Sequence, residues 1–296
     1  MILRQGVKVR SNHITDVYSR RKAGDRLMSS AEKVTTAPQP APLEFVSLCV
    51  RVPKCGSESL SKLLREAFAG RQTFYLPSTL RPDASISAFQ DFRFRRTRAR
   101  NLMRRYGTPS VETVFARIAA QAAPGDLIDG GHIDFPTVRV QVQPLRMITI
   151  LRHPVDRVSS EYRYARAGYL RKNIFSRLDA ALNAKMAARH DFDGYLDFLL
   201  DNAESYGNIA SRCVGWDGVA DLRAYFSQNM FHSGLLEESA RYTRVLGEKL
   251  GLALSFPHTN RSGKSDPVSP TTAQRARIER LYAREMQLYE WQRANL

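Results

Sequence analysis

Short apolar runs recur along this chain and alternate with longer amphipathic segments. The runs lie near Phe45, Thr73, Leu127, Met147 and Phe231, and each has the length of a buried β-strand rather than of a helix. Because helix-like segments separate the runs, the pattern predicts an α/β fold, a three-layer structure in which a parallel sheet is flanked by helices on both faces. Ligands of such open sheets bind at the carboxyl ends of the strands.

The turn that follows the first apolar run is the most informative part of the chain. The run Phe45–Val52 breaks at a polar loop, Pro53–Ser59, and an amphipathic segment, Leu60–Phe68, follows. A strand, a tight loop and a helix N-terminus direct several backbone N–H groups and the positive end of a helix dipole at one point, which suits a phosphate or a sulfate. The loop adds one ammonium group and two hydroxyl donors: Lys54, Ser57 and Ser59.

Two further segments have the same order of strand and polar loop. In one, an apolar pair that begins at Leu127 runs into two glycines, which permit a close backbone approach, and His132 follows them. In the other, the predicted strand Met147–Leu151 ends at Arg152 and a predicted helix, Val155–Tyr164, comes next. Both segments therefore place a titratable or cationic side chain where a parallel strand ends.

Together the three motifs resemble those of sulfotransferases that use 3′-phosphoadenosine 5′-phosphosulfate (PAPS), most closely the glycan (heparan sulfate-type) 2-O/6-O-sulfotransferase group in a bacterial soluble form. The loop of that group runs roughly P-K-T-[GA]-[ST]-T-[ST], and its second motif is L-R-[DH]-P-[VI]-[ED]-R with a serine eight residues after the arginine. Here Cys55 and Glu58 stand where threonine is usual. The resemblance covers roughly Leu43 to the end of the sequence, and it implies a P-loop-like sulfotransferase fold.

The resemblance also implies roles for individual residues. His132 matches a catalytic base that takes the acceptor proton, and Lys54 matches a lysine that stabilises charge on the oxygen leaving sulfur. The implied donor-binding positions are Lys54, Cys55, Gly56, Ser57, Glu58, Ser59, Leu60, Arg152, Ser160, Asn260, Ser262 and Lys264. Of these, Arg152 and Ser160 would hold the 3′-phosphate, and the last three belong to a late loop that closes over the nucleotide. No metal is expected, because lysine and backbone amides supply the positive charge.

The two departures from the family's loop and one further arginine carry their own expectations. The Glu58 carboxylate would repel a phosphosulfate, so we expect it to point away and to leave only its backbone N–H in the loop. A helix N-terminus lowers the pKa of a thiol, which would make Cys55 reactive, but its family counterpart is threonine and we assign it no nucleophilic role. Arg157, the last position of the second motif, is expected to be a structural partner.

Composition and charge set the domain organisation. With 296 residues, 43% of them hydrophobic, the chain can bury one substantial core. We predict a basic, flexible tail with a Pro-rich linker at residues 1–42 and a single sulfotransferase domain at 43–296, with a helical Arg-rich insertion at about 80–125. Three scattered cysteines indicate neither a disulfide framework nor a zinc site.

The net charge of +16 comes largely from the tail and from Arg93–Arg105, which contains seven arginines in thirteen residues. Such a block is either a solvated helix face or a surface that binds an anionic polymer. The acceptor that the resemblance implies is a carbohydrate or glycoconjugate, and an anionic acceptor would be attracted by the same positive charge. Nucleic acid is not an expected partner, because the chain has no recognisable nucleic-acid module. No apolar stretch is long enough to span a bilayer and no signal core begins the sequence, which favours a cytoplasmic enzyme.

Two other function classes remain open from the sequence. A nucleotide kinase or hydrolase could use the same loop, although the usual G-x-x-x-x-G-K-[ST] pattern is absent and Cys55 follows Lys54 where a metal-binding hydroxyl would be needed. A polyanion-binding protein could act through the Arg93–Arg105 block alone. The motifs leave the identity of the acceptor, the hydroxyl position and the oligomeric state undetermined.

Overall fold

A sheet of parallel strands forms the centre of the structure. The computed structural model describes residues 42–75, 111–132, 144–178, 180–257 and 268–295, and every structural statement below concerns these residues. The five strands are β1 (Val46–Cys49), β2 (Thr73–Tyr75), β3 (Leu127–Asp129), β4 (Leu145–Ile148) and β5 (Met230–His232). Each overlaps its apolar run, which confirms the parallel sheet; β4, however, begins two residues before the predicted strand Met147–Leu151 and ends at Ile148.

The strand order is β2-β3-β1-β4-β5, and every neighbouring pair is parallel. The central strand β1 pairs with β3 on one side and with β4 on the other; Leu48 stands opposite Ile128 and Met147. The chain leaves β1 toward β2 on one side of the sheet and leaves β4 toward β5 on the other. This reversal makes the β1–β4 boundary the position at which open α/β sheets bind ligands.

Helices connect the strands and cover the sheet. They are α1 (Ser57–Ala67), α2 (Val111–Ala119), α3 (Pro154–Leu170), α4 (Ile174–Leu178), α5 (Leu182–Arg189), α6 (Phe192–Asp201), α7 (Ala203–Tyr206), α8 (Ile209–Val214), α9 (Leu222–Asn229), α10 (Ser239–Leu250), α11 (Thr272–Leu281) and α12 (Ala283–Ala294), with a short 3₁₀ helix at Leu236–Glu238. Among the described helices, none has both the length and the apolar character needed to cross a bilayer.

Successive residues of β1 face opposite sides of the sheet, as the two-residue period of a strand requires. Leu48 packs with Ile128 and Met147 in a cluster that includes residues of α2, α8, α9 and α12. Cys49 packs on the other side with Leu127 and with residues of α1 and α10. The predicted layers of helix, sheet and helix are therefore present in the described chain.

A buried arginine joins the last helices to α3. Arg157 is fully buried; its Nε donates to Glu285 Oε2 at 3.0 Å, and its Nη1 donates to Glu161 Oε2 at 3.2 Å. Its guanidinium carbon lies 4.5 Å from the centroid of the Tyr282 ring. Burial lowers the pKa of Arg157, but the charge of Glu285 and the groups around it more than offset this effect and keep the pKa above its ordinary value. The predicted structural role of Arg157 is thus confirmed.

The C-terminal segment differs from its prediction. The amphipathic pattern from Thr271 to Trp291 predicts one helix, whereas the structure has two, α11 and α12, separated at Tyr282. Tyr282 has φ −111° and ψ 35°, outside the helical range, and its ring is fully buried against Arg157. Packing around this buried cation therefore accompanies the break between the two helices.

We predict that Glu285→Ala lowers the free energy of unfolding by about 3 kcal/mol or more, because it leaves the buried Arg157 without one of its two carboxylates. Urea unfolding followed by circular dichroism measures the change. The matched control is Glu290→Ala on the same helix, which removes an exposed pair with Arg293 and should cost less than about 1 kcal/mol. Equal losses for the two variants would contradict the structural role of the buried network.

Candidate functional site

The loop between β1 and α1 has the backbone shape of an anion cradle. Lys54 and Gly56 both have left-handed backbone angles, with φ 62° and φ 72°. A left-handed lysine is uncommon, and such strain concentrates at functional sites. Glycine is favoured at position 56 because its positive φ lies in a region that residues with a Cβ rarely adopt. The loop leads straight into the N-terminus of α1, where N–H groups without an intrahelical carbonyl partner suit an anion.

The predicted cradle residues divide into buried and accessible groups. The side chains of Cys55 and Leu60 are fully buried, one in each of the hydrophobic clusters on the two faces of the sheet, so only their backbone atoms could face a ligand. Ser57 and Ser59 are also largely buried at the start of α1. Burial raises the pKa of the Cys55 thiol above its ordinary value. Burial therefore acts against a reactive thiol at this position, which agrees with the assignment of no nucleophilic role to Cys55.

Lys54 places its ammonium group beside a tyrosine of α3. Its Nζ lies 3.6 Å from the centroid of the Tyr164 ring. Burial lowers the pKa of Lys54, the nearby Glu161 opposes this effect, and the positive charge of Arg152 adds to it. A bound anion would supply the negative charge that favours the protonated form.

Arg152 reaches the loop from the end of β4. Its Nη1 donates to the backbone oxygen of Lys54 at 3.4 Å, which joins the two loops at the β1–β4 boundary. Behind it, His153 caps α3 by accepting a hydrogen bond from Val155 N at 3.2 Å. Ser160 lies half-buried in the second turn of that helix. The structure therefore brings Arg152 to Lys54, as predicted, and places Ser160 on the helix that Arg152 precedes.

His132 follows β3, which lies on the side of β1 opposite β4. The chain passes close to β1 at Gly130, whose N donates to Cys49 O at 3.1 Å and whose added Cβ would lie 2.6 Å from that oxygen. The His132 Nδ1 bonds to the backbone oxygen of Arg51. Because a carbonyl only accepts, Nδ1 carries the proton, and Nε2 is the basic nitrogen of the neutral ring. Burial lowers the pKa of His132, which favours this neutral form.

An ion pair between a buried arginine and an exposed glutamate at this site was not predicted from the sequence. The Arg51 guanidinium is buried and pairs with the carboxylate of Glu58, while the Arg51 backbone oxygen holds His132. The pair neutralises the carboxylate that stands where threonine was expected. A signal was present in the sequence: Arg51 lies in an apolar run, where a buried charge needs a partner.

A buried carboxylate, that of Asp129, ties β3 to α1. Asp129, at the end of β3, is fully buried, and its Oδ2 accepts from Ser61 Oγ at 2.7 Å and lies 3.8 Å from Arg65 Nη1. Burial raises the pKa of Asp129, and the hydrogen bond from Ser61 opposes the increase. These contacts fix the middle of α1 relative to the strand that His132 follows.

Several predicted features lie outside the described residues: the N-terminal tail and its Pro-rich linker up to residue 41, the Arg93–Arg105 block, and Asn260, Ser262 and Lys264. Within the described residues, no group of three or more His, Cys, Asp or Glu side chains is arranged to hold a metal ion. No protein-family model matches the chain, and no curated protein matches it. Lys54, Arg152 and His132 lie around the end of β1 and form the candidate site.

We predict that Arg51→Met weakens the binding of inorganic pyrophosphate about three- to tenfold, because it leaves the Glu58 carboxylate unpaired beside the loop. Adding Glu58→Gln to the same chain should restore binding. Isothermal titration calorimetry measures both effects.

The matched control for the loss of one positive charge is Lys62→Met on α1, whose ammonium forms only an exposed pair with Glu66. It should change binding less than twofold. If Lys62→Met weakened binding as much as Arg51→Met, or if the double variant did not recover, the specific pairing of Arg51 with Glu58 would have no part in anion binding.

Proposed function

We propose that this chain is a PAPS-dependent sulfotransferase with a P-loop-like sulfotransferase fold, which moves a sulfuryl group to a hydroxyl of a carbohydrate or glycoconjugate. The observation that carries the proposal is the hydrogen bond from Arg152 to the backbone of Lys54. It supports a site in which the arginine for a 3′-phosphate adjoins the head of a cradle for a 5′-phosphosulfate. The choice of a glycan acceptor rests on the resemblance of the motifs.

The proposed donor would be held at its two charged ends. Its 5′-phosphosulfate would lie in the cradle between Lys54 and Leu60, on the loop N–H groups and the N-terminus of α1. Its 3′-phosphate would lie on the guanidinium of Arg152, with the Ser160 hydroxyl as a further donor. This second contact distinguishes the donor from ATP, which has no 3′-phosphate.

The reaction is an in-line transfer. The acceptor oxygen forms a bond to sulfur while the bond from sulfur to the 5′-phosphate oxygen breaks, and 3′,5′-ADP leaves. The proton of the acceptor hydroxyl passes to His132, whose Nδ1 bond to Arg51 O leaves Nε2 as the basic nitrogen. Lys54 stabilises the charge that grows on the leaving oxygen, and the loop amides stabilise the non-bridging oxygens.

The nucleotide preference tests the proposal. We expect 3′,5′-ADP to raise the melting temperature more than 5′-ADP, because only the former can engage Arg152. Arg152→Ala should reduce the affinity for 3′,5′-ADP roughly tenfold or more and abolish the preference. The matched control is Arg244→Ala, an exposed arginine of α10, which should change neither.

Two results of the same titration favour the other function classes. Stronger stabilisation by ATP with Mg²⁺ than by 3′,5′-ADP would indicate a nucleotide kinase or hydrolase. Equal, steeply salt-dependent stabilisation by any polyanion would indicate a polyanion-binding protein.

We predict that His132→Ala lowers turnover about a hundredfold or more, because it removes the proton acceptor. The matched control is His190→Ala, an exposed histidine at the end of α5, which should retain turnover. Transfer from radiolabelled PAPS to a panel of glycans measures both variants. Near-normal turnover of His132→Ala would exclude His132 as the base.

The pH profile gives an independent test of the same residue. Burial lowers the pKa of His132 below its ordinary value of 6.5, and only the neutral ring can accept a proton. The catalytic efficiency, kcat/KM, should therefore stay high as the pH falls to 6.5 and should decline only at lower pH. A decline centred above 6.5 would contradict the assignment.

A further inference from the structure

Tyr164 is an exposed aromatic residue whose ring lies against the ammonium of Lys54. It lies on α3, one turn after Ser160, and 64% of the residue is exposed. The Lys54 Nζ is 3.6 Å from the ring centroid, well within the distance at which a cation and a ring face attract each other. None of the three sequence motifs assigns a role to this tyrosine.

The contact with the Tyr164 ring offsets part of the cost of holding the charged Lys54 ammonium in one partly buried place. Burial disfavours the charged form of this lysine, and its flexible four-carbon stem loses rotamer freedom when the ammonium is held in one place. The negative face of an aromatic ring attracts the ammonium without neutralising it. An ammonium has three N–H donors, so one side can rest on the ring while the other side donates to an oxygen of a ligand.

The ring is held by a helix that is itself anchored. Arg157, two turns before Tyr164 on α3, is buried between Glu161 and Glu285, which joins the helix to α12. The chain enters that helix directly from Arg152, which contacts the backbone of Lys54. Tyr164 therefore lies on the helix whose Ser160, together with the preceding Arg152, is proposed to bind the 3′-phosphate.

We propose that Tyr164 is a positioning residue that holds the ammonium of Lys54 in the orientation that binds the donor's 5′-phosphosulfate. This inference rests on the proposed function, because it assigns Tyr164 a task in the same donor site. The hydroxyl of the tyrosine has no part in it, since the ring face alone makes the contact with Lys54.

A double-mutant cycle on 3′,5′-ADP binding tests the inference. Tyr164→Leu should weaken binding about three- to tenfold, and Tyr164→Phe, which keeps the ring, should stay within about twofold of the parent. In a Lys54→Met background, Tyr164→Leu should have no further effect. The matched control is Tyr169→Leu, which removes another tyrosine of α3 whose ring contacts Arg177 instead of Lys54 and should change nothing.

A nuclear magnetic resonance measurement tests the contact without any assumption about the reaction. In protein labelled with ¹³C at lysine Cε, the ring current of Tyr164 should shift the Lys54 signal upfield; Lys54→Arg identifies that signal by removing it. The shift should persist in Tyr164→Phe, vanish in Tyr164→Leu and remain when 3′,5′-ADP is added, because the ring holds the ammonium in the bound state as well.

The outcomes separate this inference from the proposed function. If the parent protein binds 3′,5′-ADP normally but Tyr164→Leu binds it equally well, or if the upfield shift disappears on nucleotide binding, the positioning role is wrong and the proposed function stands. If the parent does not prefer 3′,5′-ADP to 5′-ADP, the proposed function is wrong and the positioning role falls with it, whatever the lysine signal shows.

Discussion

The placement of β1 between β3 and β4, with all three strands parallel, is the constraint on which the candidate site depends. Parallel neighbours end at the same edge of a sheet, so the three loops that follow them must meet there. One loop brings Lys54 and the start of α1, another brings His132, and the third brings Arg152. Residues separated by about a hundred positions in the chain thus come within hydrogen-bonding distance, as the contact from Arg152 to Lys54 shows.

Charge balance is the second organising feature of this edge. Arg51 neutralises Glu58, so the carboxylate of α1 nearest to the loop does not oppose an anion. Lys54, by contrast, has its charge set against a ring face rather than a carboxylate, and burial lowers its pKa. A phosphosulfate in the loop would add its negative charge to that of the nearby Glu161, which further favours the charged form of Lys54 and supports the proposed transfer reaction.

The sequence predicts much of this arrangement because the relevant signals are local. Apolar runs of strand length, each followed by a polar loop, locate all five strands and the residues at their ends. The contacts that it does not predict depend on tertiary packing: Arg51 with Glu58 across the loop, and Lys54 with Tyr164 from another element. The burial of the Cys55 thiol and the separation of the last two helices have the same origin, because neighbouring elements decide them.

The central claim is that this edge of the sheet binds a doubly phosphorylated adenosine at both of its ends, and a crystal structure of the chain with 3′,5′-ADP tests it most directly. The account predicts the 5′-phosphate on the loop amides between Lys54 and Leu60, and the 3′-phosphate within hydrogen-bonding distance of the Arg152 guanidinium. A nucleotide bound elsewhere on the protein, or bound in this loop with its 3′-phosphate in solvent away from Arg152, would contradict the account.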